Sequence, residues 1–273
     1  MKLPEFSVFV KPWPLPLAEV ARKVKMLGLD GVELPVRPGF PVTPDNVGTA
    51  LKEAARVFAD HGLKIHSVAA ELGEPVFAAC ADAGISLVRI CVPIPEGRGY
   101  METEDALKRE YAAMVPLLTG YGVTVGIQNH CDRWVPNAMC IRHLLEGFSP
   151  EHFGAVWDAC HSALTGEGPE FGIDIVWPYL KMVNLKNAFW RRANGPEAQS
   201  VQWRPYWTSG RQGLAPWPRV VRELAARDYQ GPVCFTAEYS DTEAVDRLIA
   251  EDICYARGLF AAEYATAVQA QAN

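Results

Sequence analysis

Glu238 ends the segment Val-Cys-Phe-Thr-Ala-Glu, Lys186 ends Val-Asn-Leu-Lys, and His161 follows Asp158 by three residues in Trp-Asp-Ala-Cys-His. Carboxylates and imidazoles take and return protons near neutral pH, and a fixed ammonium stabilises negative charge developing on oxygen. Glu33, His66, Arg89, Gln128, His130 and Asn184 lie in or at the ends of other short apolar segments. Alternate residues of a strand share a side, so Gln128 pairs with His130 and Asn184 with Lys186. Trp13, in the proline-rich run from Lys11 to Pro16, suits the apolar wall of a ligand site.

The elements that must position these groups follow a recurring phrase: a helical run, a glycine, then a short β-rich segment. Gly28, Gly62, Gly84, Gly122 and Gly231 each fill the glycine position, where a left-handed residue closes a helix. Strands are expected at 6–10, 31–34, 64–68, 87–91, 124–128, 153–157, 182–186 and 233–237. Helices are expected at 17–27, 45–60, 74–83, 103–118, 137–145, 218–227 and 241–269. Strands alternating with helices require crossovers and a parallel sheet. Eight such units in 273 residues predict a single-domain (β/α)8 TIM barrel over 1–273. A doubly wound sheet is the competitor, but it usually carries a phosphate loop after its first strand. Here Lys11-Pro-Trp-Pro-Leu-Pro16 follows instead, and proline lacks the amide such a loop needs.

Composition narrows the classes further. With 49% hydrophobic residues and 32 acidic against 26 basic side chains, the chain reads as globular and offers no basic stripe for nucleic acid. No apolar run approaches the roughly 18 residues that span a bilayer. Seven scattered cysteines without a Cys-x-x-Cys pair fit a reducing, cytoplasmic setting. The stretch from Asn187 to Gly213 lacks helical periodicity and carries Arg191, Arg192, Arg204 and Arg211 among tryptophans and tyrosines. It is expected to lie over the site, its arginines offering bidentate contacts to an anionic group.

The segments Gly-Ile-Gln-Asn-His130, Trp-Asp-Ala-Cys-His161, Val-Asn-Leu-Lys-Asn187 and Phe-Thr-Ala-Glu238, with Gly213-x-x-x-Trp217, resemble the xylose isomerase-like barrel superfamily of sugar isomerases and epimerases. The resemblance covers nearly the whole chain. It implies a small sugar-like ligand and a divalent metal held by Gln128, Asp158, Asn184 and Glu238. Two of these depart from the family pattern, because Gln128 stands where the family has glutamate and Asn184 where it has histidine. Amide oxygens accept hard cations such as Mg²⁺ and suit Zn²⁺ poorly. The expectation is therefore Mg²⁺ or Mn²⁺ held weakly, or no metal.

In the family's ketose epimerases two glutamates exchange the proton, and only Glu238 remains here. An amide is not a base, so the reaction left open is a one-base isomerisation through an enediol(ate). Glu238 would move the proton and Lys186 would stabilise the oxyanion, on a ketose, an inosose or a short hydroxy-keto acid. His161, His130, His66, Glu33, Trp13 and Arg191 would bind the substrate. Each residue also has a plainer reading: Glu238 as a structural carboxylate paired with an arginine, Asp158 as a helix cap, His66 and His130 as core histidines, and the amides as partners of buried backbone. The corresponding second function is a catalytically degenerate barrel that binds a sugar-like ligand without turnover. The superfamily's endonuclease branch, with its histidine-rich zinc cluster, fits poorly with six histidines and a charge of −6. Homo-oligomers are common among relatives, so assembly stays open.

Overall fold

Short β-branched segments ended by helix-stop glycines build the observed frame. The computed structural model describes residues 2–272. Eight parallel strands close a barrel: β1 (Phe6–Phe9), β2 (Gly31–Pro35), β3 (Lys64–Ala69), β4 (Leu87–Cys91), β5 (Thr124–Gln128), β6 (Phe153–Asp158), β7 (Leu180–Leu185) and β10 (Val233–Phe235). Closure comes from β10, which pairs with β7 on one side and β1 on the other, with Phe6 opposite Val233. The chain is therefore a (β/α)8 TIM barrel in one domain.

The shell contains α1 (Leu17–Met26), α2 (Val47–Asp60), α3 (Glu74–Ala83), α4 (Tyr100–Tyr121), α5 (Ala138–Leu145), α6 (Ala159–Leu164), α7 (Pro169–Val176), α8 (Trp217–Ala226) and α9 (Val245–Ala272). Phe9, Ala69, Leu87, Val156, Met182 and Cys234 pack in the lumen, so the barrel is plugged below its mouth. A larger apolar layer joins the strands to the helices.

Two departures from the sequence reading have local causes. Gly28, Gly62, Gly84 and Gly122 adopt the left-handed conformation expected of helix stops, but after α8 that role falls to Asp228, at φ 48°. Aspartate tolerates this region because its short polar side chain can bond locally. Helices α6 and α7 were not anticipated, since six and eight residues are too few for a clear 3.6-residue period.

The stretch after β7 is no irregular lid. It forms an antiparallel hairpin of β8 (Asn187–Arg192) and β9 (Trp203–Thr208), with Ala188 opposite Trp207 and Arg191 opposite Arg204. Its root is tied by one buried side chain. The Asn187 amide donates to the carbonyls of Gly210 and Ala215, and its oxygen accepts from the backbone N–H groups of Ala188 and Ala215.

Candidate functional site

The C-terminal mouth opens into a cavity of about 970 Å³. Phe9 and Lys11 at the end of β1, Arg37 after β2, Arg89 and Cys91 on β4, Gln128 and His130 at β5, Lys186 after β7 and Glu238 after β10 all line it. Phe9 and Lys11 are two residues apart and share a side of the chain. That parity argument was available for Lys11 in the sequence, yet Lys11 and Arg37 were not singled out there.

Charges in the mouth are arranged around Glu238. One of its oxygens, Oε2, accepts from Lys186 Nζ and from Lys11 Nζ, each at 3.0 Å. Burial works to raise the Glu238 pKa, but the two ammoniums more than reverse this and hold it at about 2. Lys186 is almost fully buried. Burial would discharge it, whereas the Asp158 and Glu238 carboxylates keep its pKa above the ordinary lysine value. Its ammonium also sits 4.2 Å from the centre of the Trp207 ring. The hairpin thus reaches the site through an aromatic face rather than through its arginines.

Asp158 sits deeper, with no exposed surface. Its Oδ1 accepts from the N–H groups of Cys160 and His161 and so caps α6, while Oδ2 accepts from the Gln128 amide at 2.8 Å. Asn184 lies beside Asp158 in the β6–β7 register, and both ends of its buried amide lack a hydrogen-bond partner among the described residues.

His130 and His161 face each other with ring centres 3.9 Å apart. The Nδ1 of His161 accepts from the Cys131 backbone N–H at 3.1 Å, which fixes the proton of its neutral ring on Nε2; that buried donor has no partner among the described residues. Conversely, the Nδ1 of His130 donates to the Cys131 carbonyl at 2.9 Å, leaving its Nε2 lone pair open. Burial lowers both pKa values, that of His161 strongly, so both rings are neutral at pH 7. The pair offers one acceptor and one donor.

Other residues expected at the site lie elsewhere. His66 belongs to the start of β3, where Glu5 Oε2 is 3.6 Å from its Nε2, at the end of the barrel opposite the mouth. Trp13 donates from its indole to Asp246 at 2.7 Å and is covered by Lys23, so it fastens the first loop to α9. Glu33 is fully buried and holds Arg89 through two hydrogen bonds of 2.9 and 2.7 Å. The pairing with an arginine considered for Glu238 is found at Glu33. Arg191 lies 5.3 Å from the Tyr206 ring on the outer hairpin, and Arg192 bonds its own turn. None of these five lines the cavity.

The donor set does not fit a divalent cation. Both Asp158 oxygens accept hydrogen bonds, Gln128 turns its NH₂ toward Asp158, and Glu238 is shared by two ammoniums. The Asn184 oxygen and Glu238 Oε1 accept no hydrogen bond among the described residues, but they amount to one amide and one carboxylate already neutralised by Lys11 and Lys186. His130, Cys131 and His161 do bring one nitrogen or sulfur each within 4.8 Å of one another. Burial pushes the Cys131 thiol up to about 12, and the buried Nε2 of His161 carries its proton, so His130 Nε2 alone has an open lone pair.

Behind the site, Asp252 accepts from the Gly210 N–H at 2.8 Å and the Tyr239 hydroxyl at 2.9 Å, joining the hairpin root to the residue after Glu238. Burial raises its pKa to about 6, above the value of about 4 expected when unfolded. The folded state then binds the proton more tightly, so this residue costs stability at neutral pH and the cost fades as pH falls from about 6 to about 4. Urea unfolding across that range should show wild type gaining stability relative to Asp252→Asn as pH is lowered; a flat difference excludes the shift.

No curated protein matches the sequence. Among solved structures, a probable 3-DHS dehydratase from Bacillus anthracis superposes with a TM-score of 0.72 at 12% identity, over 92% of this chain and 97% of its own. The 3-keto-D-glucoside 4-epimerase of E. coli gives 0.69 at 12% identity over 93% and 99%. A sugar phosphate isomerase/epimerase from Parabacteroides distasonis gives 0.70 at 10% identity over 93% and 96%. Likeness at such identities is one of fold. The sequence itself matches the family model of the xylose isomerase-like TIM barrel over residues 21–257, and the chain belongs to that family.

Proposed function

We propose that this protein is an isomerase or epimerase of small polyhydroxylated carbonyl compounds, acting through an enediol(ate) with a resident ammonium as its electrophile. The observation that carries this reading is the buried, charged Lys186 facing the same cavity as the neutral His130. A substrate carbonyl oxygen beside Lys186 gains stabilisation as enolisation places negative charge on it. His130 Nε2, unprotonated and open to the cavity, accepts the proton from the neighbouring carbon and delivers it to the former carbonyl carbon, while the hydroxyl proton of the neighbouring carbon passes to the oxygen held by Lys186. A carboxylate held at about 2 is a poor base at pH 7, so Glu238 serves here to position Lys186 and Lys11. The unpartnered Nε2–H of His161 supplies a donor for a substrate hydroxyl.

Ligand binding without turnover is the second reading, favoured by the Gln128 amide being spent on Asp158. Solvent deuterium exchange separates the two. Ketoses, inososes and short hydroxy-keto acids are incubated with the protein in D₂O and followed by NMR. The enzyme reading expects exchange next to the carbonyl of at least one compound, falling about 10²- to 10⁴-fold in His130→Gln. A compound that binds with no exchange above background leaves the binding reading in possession.

A further inference from the structure

Arg37 gives the cavity a charge that no carboxylate pairs with directly among the described residues. Its guanidinium lies 5.5 Å from the centre of the Phe9 ring, with Arg89 at 4.8 Å and Lys11 at 5.6 Å from the same ring. Three cationic heads thus crowd one aromatic side chain. Glu33 is committed to Arg89 through both oxygens, and Glu238 to Lys11 and Lys186. With Asp158 counted beside Lys186, the inner mouth holds Lys11, Arg37, Arg89 and Lys186 against three carboxylates. Glu71 and Glu110 also line the cavity, as exposed residues of its rim, and no ion pair joins either to Arg37 among the described residues. One positive charge is left over, and it belongs to Arg37.

Like charges gathered without a counter-charge raise the local potential and draw in an anion. Arg37 is also fixed from below: its N–H donates to the Val42 carbonyl and its own carbonyl accepts from the Phe40 N–H. That turn holds the side chain's origin at the rim. Arginine presents a planar fork of donors that matches an oxyanion in a bidentate way. A single uncompensated charge is matched by a monoanion, whereas a phosphate dianion would leave one negative charge over.

Building on the proposed reading of this cavity, we infer that the substrate carries a carboxylate, bound by Arg37 beside Phe9, with the carbonyl end directed toward Lys186 and His130. The substrate class is then a small polyhydroxylated oxo acid rather than a neutral ketose. The anion-binding role expected of Arg191, Arg192 and Arg204 moves across the mouth to Arg37.

D-gluconate and D-glucitol test this, because both are linear polyols and only the former has a carboxylate. Neither has a free carbonyl, so binding is read independently of turnover. Calorimetric titration should give gluconate an affinity about 10- to 100-fold above that of glucitol, the span expected of charge-assisted hydrogen bonds. In Arg37→Gln the difference should vanish while glucitol binding stays as it was; Arg37 is exposed, and an unchanged thermal melt confirms the fold. Equal affinity for the two compounds, a preference that survives Arg37→Gln, or no gluconate binding up to about 50 mM, weaker than about −2 kcal/mol, overturns the assignment. Tighter binding of D-glucitol 6-phosphate than of gluconate replaces the monoanion by a dianion. Deuterium exchange in a neutral ketose without gluconate binding would retain the proposed function and defeat this inference; gluconate binding without exchange in any oxo acid would do the reverse.

Discussion

Titrated with Mn²⁺, the wild-type protein is expected to show no saturable binding in the micromolar range. Gln128→Glu with Asn184→His is expected to restore tight binding only when Lys186→Met is added. The double change returns a negative charge and an imidazole to the strand ends, which by ligand chemistry alone should suffice. It leaves the Lys186 ammonium beside both Asp158 and Glu238, where an incoming cation would have to lie. Two unit charges of like sign about 4 Å apart repel by about 4 kcal/mol at an effective dielectric of about 20, roughly a thousandfold in affinity, and a divalent ion doubles the energy. Methionine keeps much of the lysine stem's volume, so Lys186→Met should leave the barrel folded, as a melting curve will show. Tight binding by wild type, or equal affinity in the double and triple variants, would contradict the view that lysine occupies the cation's place.

The largest effect on stability is expected at Glu33 and Arg89. Glu33→Gln should lower the unfolding free energy by about 3–5 kcal/mol, because it strands a guanidinium in the barrel wall. Arg89→Met should cost a similar amount by stranding the carboxylate. Glu33 has no exposed surface and Arg89 is only 6% exposed, at the floor of the cavity, so an abandoned Glu33 carboxylate cannot reach water without moving a strand and an abandoned Arg89 is poorly hydrated. Burial alone would lower the Arg89 pKa, and the Glu33 charge more than reverses that. Combining Glu33→Gln with Arg89→Met should recover part of the loss, since no lone charge then remains. Equilibrium unfolding in urea measures all three. A single-variant cost below about 1 kcal/mol, the size of an exposed pair, would refute the assignment of this bridge as a buried one.

Both results depend on contacts that sequence reading locates only in part. The barrel was legible because helix, glycine and strand repeat with local signals, and each strand end follows from its own few residues. Partner choice was not. Glu33 and Arg89 are 56 residues apart, and Lys11 meets Glu238 only because the last strand closes on the first. Arg89 and Glu33 were each visible as strand-borne charges, but nothing local told which would neutralise the other. His66 was misplaced for a different reason: it is the third residue of β3, and the parity rule gives a side of the sheet, not an end of the barrel. The hairpin escaped because Ala188 and Trp190 pack on Cys160 and Leu164 while Phe189 and Tyr206 meet as a tilted pair. With apolar residues on both faces, the alternation that announces a strand is lost.

Asn187 gives this insertion a property beyond the chemistry of the mouth. Its one amide binds the chain where the excursion leaves the barrel and again where it returns, at Gly210 and Ala215. The ends of the segment stay together whatever lies between them, so the entropy of closing it is met at the root, and each doubling of its length should add only about 0.6 kcal/mol. The hairpin is in effect a detachable cassette. Its outer turn can be shortened, lengthened or exchanged for an unrelated sequence while the barrel below keeps its register, and evolution or an engineer can vary what overhangs the mouth without renegotiating the fold.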